Sequence, residues 1–291
     1  MAEFHVLNLG AGVQSTFTYL RYGNPDGPQL FQYAVFADTQ EEPADVYRHL
    51  RWLQSLEARG YPPILIGSKG KLGDHLKAGT NSTGGRFASI PAFTKALGDE
   101  REGRTRRQCT KEYKIEVIDR VIRRQILGLQ PRQRIPRGVH VVHYIGISLD
   151  EMRRSFRILK RYEGVKWASV RFPLLEARIT RGQCRAWFKE SGAVPHAVPR
   201  SACVFCPFHS DEEWVRLQRE DPEAFARAVE IDEALRVPGN VVNRNMDKPL
   251  YLHRSCHPLG RIDFVALEEI VKQQPFLSPS FIEECEGMCG V

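Results

Sequence analysis

Short apolar runs alternate with amphipathic helical segments along the first 200 residues, and this alternation limits the folds open to the chain. Helices are predicted to begin at Ser15, to run from Pro43 to about Arg59, and to run from Thr110 to about Leu127. The strand-like apolar runs lie at 4–9, 33–36, 64–66, 139–147 and 170–174. Strands that alternate with helices favour an α/β fold with a mainly parallel sheet and flanking helices.

The strand pattern stops near residue 200. Beyond it, helices are predicted at 211–219, 222–236 and 262–273, with cysteines around and between them. We therefore expect two parts: an α/β domain over residues 1–200 and a C-terminal helical, cysteine-containing region over residues 201–291.

The composition excludes several classes of protein. No run of 18 apolar residues is present, so a membrane span is not expected. The first residues lack the basic and apolar segments of a secretory signal, so we expect a cytoplasmic protein. In such a reducing compartment the seven cysteines are expected to be thiols, metal ligands or redox groups rather than a disulfide scaffold.

Charge is distributed unevenly along the chain. Residues 101–185 contain 22 Lys and Arg against 8 Asp and Glu, a net charge of +14, whereas residues 211–291 carry a net charge of −7. A basic run is often a solvated helix face, but it also suits contact with nucleic acid phosphates. Within it, the polar segment 101–107 is predicted to be an exposed loop.

A glycine-containing loop follows the first predicted strand. Its small residues allow close approach of an anion, and the following helix start offers backbone N–H groups. The loop lacks the lysine of a Walker A motif and the third glycine of the dinucleotide motif, and a tight turn without a ligand has a similar composition. The residues expected to contact an anion are Gly10, Ala11, Gly12, Gln14, Ser15 and Thr16.

This loop resembles the PP-loop of the ATP pyrophosphatase superfamily, in the variant of phosphoadenosine-phosphosulfate (PAPS) reductases. It lacks the initial Ser and the Asp of the common S-G-G-x-D-S form. Four further segments resemble family motifs in the same order, and the resemblance covers roughly residues 4–210. They are Phe36-Ala37-Asp38-Thr39, Cys109-Thr110 with Lys111 and Lys114, Gly146 to Glu151 with Arg153 and Arg154, and Phe172-Pro173-Leu174-Leu175 leading to Cys203-Val204-Phe205-Cys206.

The resemblance implies a Rossmann-like nucleotide site that takes ATP, or a related adenine nucleotide, with Mg. In such a site the glycine loop holds the phosphates, Asp38 and Thr39 lie near the adenosine, and Gly146 belongs to the same pocket. Lys114 and Arg154 are further cations expected near the phosphates. The residues expected to be catalytic are Cys109, Lys111 and Arg153.

Cys203 and Cys206 form a C-x-x-C pair, a spacing that lets two thiolates face one metal or act as a redox pair. The resemblance brings Cys109 to this pair, and Cys285 is expected as the fourth ligand, with Cys289 and Cys256 as alternatives. An all-cysteine site suits a [4Fe-4S] cluster, zinc is the alternative, and unmetallated thiols remain open. Cys184 lies in a helical stretch and is expected to be a core thiol.

Three functions follow from these motifs. The first is an ATP-dependent sulfur transferase that adenylates its substrate, expected to be nucleic acid such as tRNA or DNA, and takes sulfur from a donor protein. The second is a sulfonucleotide reductase similar to PAPS reductases, whose C-terminal E-C-G motif has only a distant counterpart at Glu284-Cys285-Glu286-Gly287. The third is a zinc-stabilised nucleic-acid-binding protein. We also expect a homodimer that does not contact membranes.

Overall fold

The computed structural model describes residues 2–79, 90–95, 103–237, 248–266 and 269. At its centre is a five-stranded sheet in which every neighbouring pair of strands is parallel. Its strand order is β3-β2-β1-β6-β7. The strands, including a separate antiparallel pair β4–β5, are β1 Ala2–Leu9, β2 Tyr33–Asp38, β3 Ile64–Ser68, β4 Phe93–Thr94, β5 Gly103–Arg104, β6 Val139–Ile145 and β7 Ala168–Arg171.

Helices cover both faces of the sheet, so the predicted α/β fold with a parallel sheet is confirmed. One long helical stretch combines a central α-helix with π-helical turns at Thr110–Ile115 and Ile122–Ile126. No described helix is long and apolar enough to cross a membrane. The α-helices are α1 Val13–Tyr22, α2 Ala44–Ser55, α3 Leu72–Lys77, α4 Glu116–Val121, α5 Met152–Tyr162, α6 Pro173–Glu176, α7 Arg181–Ser191, α8 Asp211–Glu220 and α9 Pro222–Ala234.

Both faces of β1 are buried, as expected for a central strand of a parallel sheet. Leu7 and Leu9 belong to a core cluster with residues of α1 and α2, among them Tyr19 and Leu50. Val6 points to the opposite face and belongs to a cluster that includes residues of α4. Alternate residues of one strand therefore hold two layers of helices on the sheet.

Some predicted boundaries were wrong. The run at 170–174 forms a shorter strand that ends at Arg171, and Pro173 begins α6, because proline suits the first turn of a helix. The run at 139–147 leaves the sheet after Ile145. The helix predicted at 262–273 begins only at Phe264, and most of it lies outside the described residues.

The strand order reverses direction at β1. The chain runs outward through β2 and β3 on one side of β1 and through β6 and β7 on the other. The loops that leave the carboxyl ends of β1 and β6 therefore lie side by side with a crevice between them. In open parallel sheets, this switch point is where ligands bind.

The helices beyond residue 200 pack onto the α/β part through a shared apolar cluster. Leu72 and Leu76 of α3 lie in one core with Trp214 of α8 and Ile231 of α9. The boundary at residue 200 stays a prediction, since this core draws residues from both sides of it.

A buried ion pair crosses the same contact. Glu41, which follows β2, is 4% exposed and accepts hydrogen bonds from the Arg227 guanidinium of α9 at 2.7 and 3.2 Å. The Gly73 N–H donates to the same carboxylate at 3.1 Å. The loop after β2 is thereby fixed to both α3 and α9.

We expect Glu41→Gln to lower the free energy of unfolding by about 2 kcal/mol, because it removes the buried carboxylate of Arg227 and leaves that cation paired with the more exposed Asp74 and Glu230. The matched control is Glu176→Gln, which breaks an exposed pair with Arg171 and should cost less than about 1 kcal/mol. Urea denaturation of both variants measures the difference. Equal losses would contradict the structural role assigned to Glu41.

Candidate functional site

The glycine loop bonds to itself at the start of α1. Gly12 is the N-cap residue; its N–H donates to the Ser15 hydroxyl at 3.2 Å, and that hydroxyl lies 3.2 Å from the Gly12 carbonyl oxygen. Ala11 is buried and has φ of +56°, a left-handed conformation that costs a non-glycine residue about 1–2 kcal/mol. Backbone strain of this kind is common where a loop is shaped for a ligand.

Gly146 lies against this helix start from the neighbouring strand. A Cβ atom on Gly146 would stand 3.0 Å from the carbonyl carbon and oxygen of Gln14 and from the backbone nitrogen of Ser15. Such a contact is tighter than most Cβ contacts in proteins, so a side chain at position 146 would push the loop after β6 and the start of α1 apart by a few tenths of an ångström. The resemblance implies that Gly146 belongs to the same pocket as the glycine loop, and the structure brings the two segments together.

The Gln14 side chain also joins α1 to the segment after β6. Its Nε2 donates to Glu151 Oε2 at 2.6 Å and lies 3.3 Å from the Ser148 hydroxyl. Burial raises the pKa of the Glu151 carboxyl above its usual range, and the Arg154 guanidinium, 3.4 Å away, opposes that shift. The Gln14 side chain therefore holds the start of α1 against the segment that follows β6.

Thr16 has a different environment from the one expected for a phosphate-binding hydroxyl. Its side chain is fully buried, with Oγ1 2.9 Å from Nε2 of His49 on α2. His49 Nδ1 in turn lies 2.8 Å from Nε2 of His196. The Thr16 N–H donates to the Gly12 carbonyl within the helix. The hydroxyl and the N–H of Thr16 are thus both hydrogen-bonded within the protein.

Asp38 and Thr39 end β2 at the same edge of the sheet. Asp38 Oδ1 accepts hydrogen bonds from the Gln40 N–H at 2.7 Å and from the Tyr47 hydroxyl at 2.9 Å. Thr39 is buried, and its hydroxyl lies 3.3 Å from Glu42 Oε1. Both residues therefore lie beside the switch point, where the resemblance expects the adenosine.

Three cysteines line one small cavity next to Thr39. Cys109, Cys203 and Cys206 share its walls, and Cys203 Sγ is 3.4 Å from Thr39 Oγ1. The cavity has a volume of about 30 Å³. Lys114 also lines it, with Nζ 3.7 Å from the buried Glu42 carboxylate. The convergence that the resemblance implied for these three cysteines is present as a shared cavity wall.

Burial raises the pKa of the Cys203 thiol well above its usual range, and the Glu42 carboxylate adds to the shift. The neighbouring Lys114 opposes it. Cys203 is therefore held in the thiol form at neutral pH. It would become a thiolate only by bonding a metal or by losing its proton to a base.

Within the described residues, no three His, Cys, Asp or Glu side chains are placed to hold a metal ion. Cys285 and Cys289 lie outside those residues, and Cys256 is not among the residues that line the cysteine cavity. The thiol chemistry suits iron–sulfur or zinc, but the described side chains do not form a ligand set. Cys184 is fully buried in a core cluster, so its prediction as a core thiol is confirmed.

A cleft of about 490 Å³, here called the basic cleft, adjoins the cysteine cavity. Lys111 and Arg153 are both exposed. Lys111 lines the cleft and Arg153 does not, but its neighbour Arg154 does. Sequence reasoning named Arg154 but missed Arg157 and Arg161 of α5, and it missed Phe208. The spacing of the α5 arginines at 154, 157 and 161 was the available signal, because such positions share one helix face. The described residues that line the cleft are Pro91, Arg104, Thr105, Arg106, Arg107, Thr110, Lys111, Ile115, Arg154, Arg157, Ile158, Arg161 and Phe208.

Comparison of the chain with protein-family models, with curated proteins and with solved structures finds no match. The resemblance to the PP-loop superfamily therefore rests on the motifs quoted above.

Buried histidines predict a loss of stability in acid. Burial lowers the pKa of His49 and His209 to about 3 and that of His143 to about 4. In the unfolded chain these groups titrate near pH 6.5, so below that pH the unfolded state binds more protons. We expect the urea midpoint to fall as the pH drops from about 6.5 to about 4.

His49→Gln tests this for the histidine that contacts α1. The variant should lose stability with falling pH less steeply than the wild type, by up to about 1.4 kcal/mol per pH unit. Burial raises the pKa of Asp119 to about 6, so its contribution to stability rises as the pH falls. Asp119 is present in both proteins, so the difference between the two slopes reports on His49. His257→Gln, at an exposed histidine, is the control and should leave the slope unchanged. Identical slopes in all three proteins would contradict a neutral, buried His49.

Proposed function

We propose that this chain is a PP-loop-type, ATP-dependent sulfur transferase that adenylates an anionic acceptor, expected to be nucleic acid. One observation carries the proposal. The glycine loop and Gly146 meet at the switch point of a five-stranded parallel sheet, with the first-turn N–H groups of α1 beside them. This is the arrangement in which helix N-termini bind phosphates.

In the first step the acceptor oxygen attacks the α-phosphorus of ATP. A new phosphorus–oxygen bond forms, the bond to the β-phosphate breaks, and pyrophosphate leaves. The backbone N–H groups at the start of α1 would stabilise negative charge on the phosphates, because they are fixed in place before the reaction. Magnesium would accompany ATP as part of the substrate.

In the second step a sulfur nucleophile at the oxidation level of sulfide attacks the activated centre. AMP leaves with the original oxygen, so sulfur replaces oxygen without a change in redox state. The cysteine cavity beside Thr39 supports this chemistry, since it gathers three thiols at the same edge of the sheet. The iron–sulfur cluster, zinc and the donor protein stay predictions, and neither step is routed through them.

Gly146→Ala tests the proposal at the feature that carries it. The added methyl group would push on the backbone of Gln14 and Ser15. We expect ATP affinity to fall by roughly tenfold, since weakening one hydrogen bond to a charged phosphate by about 1.4 kcal/mol corresponds to that factor. Calorimetric titration with ATP measures the affinity, and circular dichroism checks folding.

Gly182→Ala is the matched control, because a Cβ there has as its nearest neighbour the Thr180 hydroxyl at 3.8 Å. It should bind ATP as the wild type does.

Pyrophosphate release by the wild type should increase when tRNA or single-stranded DNA is added. Unchanged ATP affinity in Gly146→Ala would contradict the assigned phosphate site, and sulfite release from a sulfonucleotide without use of ATP would favour the reductase.

A further inference from the structure

We infer that the basic cleft binds a single strand of nucleic acid and stacks one base on Phe208, at the entrance to the cysteine cavity. The inference rests on the proposed function and names the form in which its acceptor is bound. It is carried by the charge of the cleft, the spacing of its cations, and the position of one aromatic ring.

The charge of the cleft is of one sign. Seven of its lining side chains are arginine or lysine, and none of the described lining residues is acidic. They come from two separate parts of the chain: residues 104–111, which run from β5 into the helical stretch at Thr110, and α5. Convergence of cations from distant segments produces a local positive potential that concentrates polyanions.

The cations on α5 follow a line. Arg154, Arg157 and Arg161 are separated by three and four residues, so they share one face of the helix. Seven residues correspond to about 10.5 Å along the axis. A row of that length suits successive phosphates of a backbone better than the clustered phosphates of a single nucleotide.

Phe208 supplies a stacking surface inside this charged cleft. The guanidinium carbons of Arg104 and Arg107 lie 5.1 and 5.8 Å from the centre of its ring. Aromatic rings and arginine planes are the surfaces on which proteins stack unpaired bases. The ring is half-buried, so a base held in a duplex would not reach it without leaving the stack.

The same ring separates the cleft from the thiols. Pro91, Arg107, Thr110 and Phe208 line both the basic cleft and the cysteine cavity. A base stacked on Phe208 would therefore lie at the wall that the cleft shares with Cys109, Cys203 and Cys206. This placement brings an acceptor base to the thiols while its backbone stays on the cations of α5.

The test measures binding of a labelled single-stranded oligonucleotide of about 12 nucleotides by fluorescence anisotropy at several salt concentrations, without ATP. Phe208→Leu should weaken binding roughly tenfold through lost stacking and leave the salt dependence unchanged. Arg157→Gln should lower the slope of log affinity against log salt by about 0.7, the value for one phosphate contact on a single strand.

Each variant has a matched control, and both controls lie on α5. Phe156→Leu changes an aromatic residue that is 60% exposed, and Lys160→Gln removes an exposed charge; neither residue lines the cleft. Both should bind as the wild type does. DNA and RNA strands of one sequence show which sugar is preferred, and the inference holds for either.

Three results would overturn the inference. The first is equal affinity for a hairpin duplex and for the single strand, since a duplex would then bind through the cations alone. The second is an equal effect of Phe208→Leu and Phe156→Leu. The third is displacement of the oligonucleotide by adenosine 3′,5′-bisphosphate at the same concentration as the oligonucleotide, which would assign the cleft to a small nucleotide. Because ATP is absent, each result is independent of the ATP affinity that tests the proposed function.

Discussion

The candidate site depends on the close approach of two backbone segments at the centre of the sheet. β1 and β6 are parallel neighbours, and the segments that follow them meet where Gly146 faces the start of α1. Gln14 fixes the same contact through Glu151, and Ser15 closes the loop on Gly12. A side chain at position 146 would push these segments apart by a few tenths of an ångström, so their close approach depends on that glycine.

The remaining parts of the site are attached to this centre by the loop after β2. That loop carries Thr39 against Cys203, and the Glu41 carbonyl accepts the Val204 N–H at 2.7 Å. The Glu41 carboxylate holds α9 through Arg227. The C-x-x-C segment is consequently fixed to the carboxyl end of β2, close to the glycine loop, although it is more than 160 residues away in sequence. One edge of the sheet thus combines the glycine loop, a set of thiols and the adjoining basic cleft.

Much of the fold could be predicted because the strands are short apolar runs and the helices keep one apolar face. The apolar positions of α2, such as Val46, Leu50 and Leu53, are buried as their spacing indicates. The strand predicted through Leu174 was wrong because hydrophobicity alone does not distinguish a buried strand from the buried first turn of a helix. Composition also gave no sign of the β4–β5 pair, whose two-residue strands are too short to carry a pattern.

The site was predictable where a motif is continuous in sequence, and less so where it is assembled in space. Gly12, Ser15 and Gly146 come together as the motifs imply, but the hydroxyl of Thr16 is directed to His49, a partner 33 residues away. The motif names both Arg153 and Arg154, but it does not specify which of them lines the basic cleft, because adjacent residues on a helix point about 100° apart. Phe208 was missed because its role depends on Arg104 and Arg107, which lie about a hundred residues earlier.

The most direct measurement of the central claim is a crystal structure of the protein with a non-hydrolysable ATP analogue. We expect the phosphates to lie on the N–H groups at the start of α1, between the glycine loop and Gly146, with the adenosine toward Asp38 and Thr39. An analogue bound in the basic cleft, with the glycine loop unoccupied, would contradict the claim.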